Sequence, residues 1–174
     1  MKKLSLIVLF LSSLHAQLIL SPFEALKMNF NENIFIQKKS ILLSKAQAKE
    51  VQQRAKVKLN TKIYKTFKVS QDDKFLGYGI LVIQKVRTKT SAILSIITPD
   101  GILKAIEIVA FNEPTEYIPS KTWTDTFKDM PLDDTLKLGK SIPNISGATF
   151  SARSATDASR IALAIYELVI AKEL

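Results

Sequence analysis

Between residues 61 and 111 the chain delivers four largely apolar, β-branched runs, each stopped by turn residues before a helix can compete. Thr61 to Val69 alternates, with Ile63, Phe67 and Val69 on one face and Tyr64 on the other. Gln71-Asp72-Asp73-Lys74 is a polar turn, and Leu76 to Val86, Ala92 to Thr98 and Ile102 to Phe111 follow. The sharpest reversal is Pro99-Asp100-Gly101, where proline presets one turn dihedral and Asp-Gly completes the bend. Strands joined by turns this short pair antiparallel, so the segment reads as a β-meander.

A helix is expected on either side. Ser44 to Lys58 has no Gly or Pro, Ser44 suits an N-cap, and Ala48, Val51, Ala55 and Leu59 recur at helical spacing. Near the end, Ala155, Ala158, Ile161, Ala162, Ile165, Leu168 and Val169 form an apolar stripe. Ser154 with Asp157 three residues on offers a capping box, and Ser151 offers a start one turn earlier. Asn112 to Ser120 reads as a loop, Thr122 to Phe127 as a short helix carrying Trp123, and Lys128 to Asn144 as irregular. The expectation is one α+β domain over residues 44–174, an antiparallel meander flanked by an N-terminal and a C-terminal helix, with 17–43 as an N-terminal extension.

Composition removes most chemistry. The 174 residues include no cysteine and one histidine, His15. Without thiols there are no disulfides, iron–sulfur ligands or nucleophilic cysteine. Without a histidine beyond position 15, a typical zinc or copper site and a Ser-His-Asp triad are also excluded, so no metal-ligating and no catalytic residues are named. Glu107, between Ile106 and Ile108, reads as an outward-facing strand residue rather than an acid or base. What remains is chemistry brought by a cofactor, or none; the chain reads as a carrier or a binding module more than as a self-contained enzyme.

Lys2 and Lys3 precede an apolar run, Leu4 to Leu14, that ends in Leu14-His15-Ala16. This is the order of a secretory signal peptide over residues 1–16, cleaved after Ala16, or a membrane anchor if uncleaved, since apolar residues continue through Leu18-Ile19-Leu20. Either way the domain is expected in the periplasm or at the outer face of the inner membrane. The formal charge is +9, but the lysines are scattered and are not interleaved with aromatics, a pattern that argues against nucleic acid.

The segment that points to chemistry is Ser146-Gly147-Ala148-Thr149-Phe150-Ser151, leading into the last helix. A helix start offers unpaired N–H groups and the positive end of its dipole, so a phosphate suits this place; so does simple helix capping. Ser146-Gly147-Ala148-Thr149 resembles the flavin-attachment motif of the FMN-binding domain family, which includes flavoprotein subunits of sodium-pumping NADH:quinone oxidoreductases and Rnf complexes and stand-alone exported carriers. Gly77-Tyr78-Gly79, Pro99-Asp100-Gly101, the loop Asn112-Glu113-Pro114-Thr115-Glu116 and Trp123 with Phe127 are similar to that family as well.

The resemblance implies FMN joined through its phosphate to Thr149 by a separate flavin transferase. Electrons would be exchanged with membrane or periplasmic redox proteins. It implies contacts from Ser146, Gly147, Ala148, Phe150 and Ser151, where Ser146 and Ser151 either bond the phosphate or only cap backbone. It also offers Glu113 and Thr115 as ring contacts, and Tyr78 and Trp123 as stacking partners or, more simply, core. Pro143 departs from the family, which often has an acidic residue there for the transferase to read, and Thr115-Glu116 stands where a glycine is common. The alternative is a flavin-free or non-covalently flavin-binding adaptor of an envelope redox complex.

Overall fold

The computed structural model describes residues 17–173, so the signal-peptide reading of residues 1–16 lies outside it. The four expected strands are present as β3 (Ile63–Gln71), β4 (Lys74–Lys85), β5 (Thr90–Ile97) and β6 (Leu103–Phe111). Every neighbouring pair is antiparallel, and the reversal at Pro99-Asp100-Gly101 is closed by the Thr98 N–H donating to the Ile102 carbonyl at 2.8 Å. The domain is α+β, a meander flanked by helices, as the periodicity required.

The segment before the meander contributes more than an extension. Residues Phe35–Leu42 form β2, paired along its whole length with β3, and Gln17–Leu18 form β1 on the far side of β6. The sheet therefore has six strands in the order β1-β6-β5-β4-β3-β2. Between β1 and β2 lies α1 (Pro22–Asn29), started by a capping box of Ser21 and Glu24 with Pro22 in the first turn.

Helices pack on both sheet faces. Against one lie α2 (Lys45–Ala55), α4 (Thr149–Ile165) and the winding segment from 121 to 145, around Tyr64, Ile80, Val82, Ile93, Ile106 and Leu136. Each fully buried aliphatic side chain here stabilises by about 1.5–3 kcal/mol. On the other face Leu26 of α1 packs over Phe67, Val69, Leu94 and Ile96. This helix sits close because Gly79 has no side chain: a Cβ there would lie 3.1 Å from Leu26 Cδ2 and 3.2 Å from Leu94 Cδ1. Because α1 occupies that face, Glu107 does not point into solvent. It is half-buried, accepts a hydrogen bond from Asn29 Nδ2 at 2.9 Å and lies 3.6 Å from Lys121 Nζ.

Helix boundaries differ from expectation at both long helices. Ser44 caps α2 with Gln47 completing the box, but the helix stops at Ala55, where Lys56 turns left-handed with φ 56°, so Leu59 packs on the core from the following loop. The last helix begins at Thr149, ahead of both Ser151 and Ser154. Ser154 does not cap; it is buried, with its Oγ 3.0 Å from the Ser91 Oγ on β5. Beyond Ile165 the helix continues through a π turn at Tyr166–Ile170. No helix among the described residues is long and apolar enough to cross a membrane.

Candidate functional site

Three segments meet at the start of α4. They are the β4–β5 hairpin at Val86-Arg87-Thr88, the loop after β6 at Glu113-Pro114-Tyr117, and Gly147-Ala148-Phe150-Ser151. They enclose a cleft of about 530 Å³. That is within the roughly 300–1,000 Å³ range of small-molecule and cofactor sites.

The hairpin and the loop are locked by one carboxylate. Glu113 accepts from the backbone N–H groups of Arg87, Thr88 and Lys89 at 3.2, 2.6 and 2.7 Å, and from Thr88 Oγ1 at 3.1 Å. These bonds, led by the one from Lys89, hold its pKa down at about 2, so it is ionised throughout the physiological range. Glu113 is thus a structural clamp on the cleft wall: Oε1 takes all four of these bonds, and Oε2 has only a 3.3 Å contact from Thr88 Oγ1.

The floor is the beginning of α4. Ser21, Ser44 and Ser120 cap α1, α2 and α3 (Lys121–Thr124) with side-chain hydrogen bonds, whereas the residue before α4 is Ala148, which has none to offer. The longest helix of the described residues therefore starts with backbone N–H groups that no side chain of its cap residue satisfies. Gly147 makes the approach, with φ 77°, a conformation L side chains rarely adopt, and with nothing within 4 Å of where a Cβ would stand. Phe150 is 54% exposed at the rim, opposite Tyr117.

Thr149 lies at the first helical position and is exposed, but it does not line this cleft. Its Oγ1 is 3.4 Å from the Ile145 carbonyl. At spacings of four it shares a helix face with Arg153 and Asp157, which line a second cleft of about 510 Å³ together with Lys137, Lys140 and Arg160. Thr149 thus stands between an aromatic-rimmed cleft on one side and a cationic one on the other. Arg160, buried beneath the second cleft, donates to the carbonyls of Ala55, Asp133 and Leu136 at 2.7–2.8 Å. Burial pushes the Asp157 carboxyl up, against the pull of Arg153 and Arg160.

The remaining candidates separate. Glu113, Gly147, Ala148, Phe150 and Ser151 are brought together; Ser146 is exposed on the approach and does not line the cleft. Thr115 is exposed in a short 3-10 turn, and its neighbours Pro114 and Tyr117 form the wall instead. Tyr78 lies about 25 Å along β4 from the hairpin. There it packs on Phe75 and Tyr166 beyond the far end of α4. Trp123 is buried edge-on to Phe127 and donates Nε1–H to the Pro143 carbonyl at 2.8 Å, which pins the chain leading to the motif. Sequence reasoning missed Arg87, Thr88 and Tyr117, which carry no motif and reach the cleft only through the pairing of the strands.

The structure thus brings to one end of the sheet an uncapped helix start, cations on the Thr149 face and a cleft of cofactor size beside two aromatic side chains. No group of His, Cys, Asp and Glu among the described residues is placed to hold a metal ion. Compared with known proteins, the chain matches no family model and no curated protein.

Proposed function

We propose that this protein is an exported electron carrier whose FMN is attached through its phosphate to Thr149 by a flavin transferase, and which passes electrons between membrane or periplasmic redox proteins. The observation that supports the reading is the uncapped start of α4, where Thr149 is exposed in the first turn and Gly147 and Ala148 line the adjoining cleft. Bound FMN supplies exchange of one or two electrons. The chain's own part is to hold it. The first-turn N–H groups of α4 and the cations Arg153 and Lys140 favour a phosphodiester at Thr149. Phe150 and Tyr117 offer aromatic surface to a ring in the cleft, and Arg87 places a cation at its edge.

Pro143 favours a second reading, a flavin-free or non-covalently binding adaptor, because it stands where the resembling family often carries the acidic residue read by its transferase. One experiment separates the two. The wild type and Thr149→Val are co-expressed with a flavin transferase, then compared by fluorescence in a denaturing gel and by intact mass. Covalent flavin on the wild type and none on Thr149→Val is the expected result. Covalent flavin on both refutes the attachment point, and none on either favours the adaptor.

A further inference from the structure

α1 covers only part of its sheet face. It is seated over Phe67, Gly79, Leu94 and Ile96, which leaves the end of the sheet nearest the β4–β5 hairpin without a helix. There the antiparallel register lines up apolar side chains: Leu42 opposite Ile63 on β2 and β3, Ile83 opposite Ala92 on β4 and β5, and Ala110 opposite Leu18 on β6 and β1. Ala92 also faces Ala110, so one row runs from Ile83 across β5 and β6 to Leu18, and Leu42 with Ile63 stands on the same face at the same end of β2 and β3. Its larger members are open to solvent: Leu42 is 72% exposed, Leu18 66%, Ile63 59% and Ile83 55%. Single exposed aliphatics are ordinary, but several gathered at one end of one sheet face mark an interaction site.

Charge and chain direction say what covers it. Lys38, Lys65 and Lys85 stand on the same face at the alternating positions, all exposed, and Arg87 and Lys89 follow in the hairpin at the end of the row. Of the carboxylates beside α1, Glu107 is paired with Lys121 and Glu32 with Lys27, while Glu24 stays ionised in the cap at Ser21. The row also ends at Leu18, only four residues after the apolar run Leu4 to Leu14. An apolar strip rimmed by lysines combines buried apolar area with attraction to anionic headgroups, the composition that binds a lipid surface.

We propose that this sheet face rests on an anionic membrane surface, with Leu18, Leu42, Ile63 and Ile83 in the interface and Lys38, Lys65, Lys85 and Lys89 among the headgroups. The orientation does not depend on flavin. It sets the hairpin, and with it one wall of the cleft, within about 10 Å of the lipid.

The absence of cysteine makes the test direct, because any introduced thiol is unique. Ile63→Cys, Ile83→Cys and, on the opposite face in α2, Lys49→Cys are made in the full chain and labelled with a nitroxide. They are then mixed with phosphatidylcholine vesicles containing about 30% phosphatidylglycerol, an anionic fraction that attracts basic segments. Depth is read, rather than binding alone, because only depth reports which face of the sheet meets the lipid. The labels at 63 and 83 are expected to gain oxygen access and lose access to a water-soluble nickel reagent, while the label at 49 stays aqueous. Removing two rim charges with Lys65→Ser and Lys85→Ser is expected to weaken partition into these vesicles more than about tenfold. Labels at 63 and 83 that stay aqueous on vesicle-bound protein overturn the proposal, as does failure to bind. Shielding of those labels before lipid is added also overturns it, in favour of residues 1–16 as the occupant, or of a second copy if dilution removes the shielding.

Discussion

Arg160 ties together three parts of the fold that share no local sequence. Its Nε donates to the Ala55 carbonyl at the end of α2, and its Nη1 donates to the carbonyls of Asp133 and Leu136 in the irregular segment before the motif. Arg160→Met keeps most of the aliphatic stem but removes every donor. Hydrogen bonds from a charged donor contribute about 1.5–3 kcal/mol each, and a buried carbonyl left unpaired costs about 1–3 kcal/mol. The Asp133 bond is only part-buried, so water replaces it there. The Ala55 and Leu136 carbonyls are buried and have no such substitute. Burial already works against the guanidinium, and relief of that cost offsets part of the loss. The net expectation is about 3 kcal/mol of lost stability, or a melting temperature lower by roughly 6–12 °C for a domain of this size. Urea unfolding of wild type, Arg160→Met and Arg160→Lys measures it. The lysine variant should fall between, since an ammonium cannot serve carbonyls on both sides of the fork. A loss below about 1 kcal/mol in Arg160→Met would show that these carbonyls find other donors, and the argument from buried pairing would fail.

Ile161 and Ile165 are buried against the sheet, so Ile161→Asp or Ile165→Asp should each destabilise by about 3–5 kcal/mol, seen as loss of the cooperative thermal transition. The Glu113 carboxyl, held at about 2, binds its proton less readily when folded. Its contribution is complete above the ordinary carboxylate range and is lost as pH falls from about 4.5 toward 2. A urea midpoint followed over that interval should drop less steeply in Glu113→Gln than in wild type; equal slopes would mean the clamp does not form.

The parts of this fold legible in sequence are those written in local spacing. The Ser44 box, the Pro99-Asp100-Gly101 reversal and the stripe of α4 each fit within a few turns of chain. β2 was hidden because an edge strand has one partner and exposed side chains: Gln37-Lys38-Lys39-Ser40 looks like a solvated stretch, and it is one. The start of α4 was misplaced because Ser151 and Ser154 have the chemistry of caps but are turned inward, Ser154 toward Ser91 sixty-three residues away. The motif could be found by eye, but its cleft could not. Arg87, Thr88 and Tyr117 join it through strand register and one carboxylate bridge, and neither is a property of neighbouring residues.

β1 introduces an order of events. Gln17 and Leu18 pair with Phe111 and Ala110, so on a chain delivered N-terminus first the strand has no partner until roughly ninety further residues have arrived. During that interval Gln17 and Leu18 belong to a stretch whose backbone groups have no strand to pair with. Once β6 is laid down, Gln17 and Leu18 are engaged in the sheet, so this edge is completed only after the meander is in place.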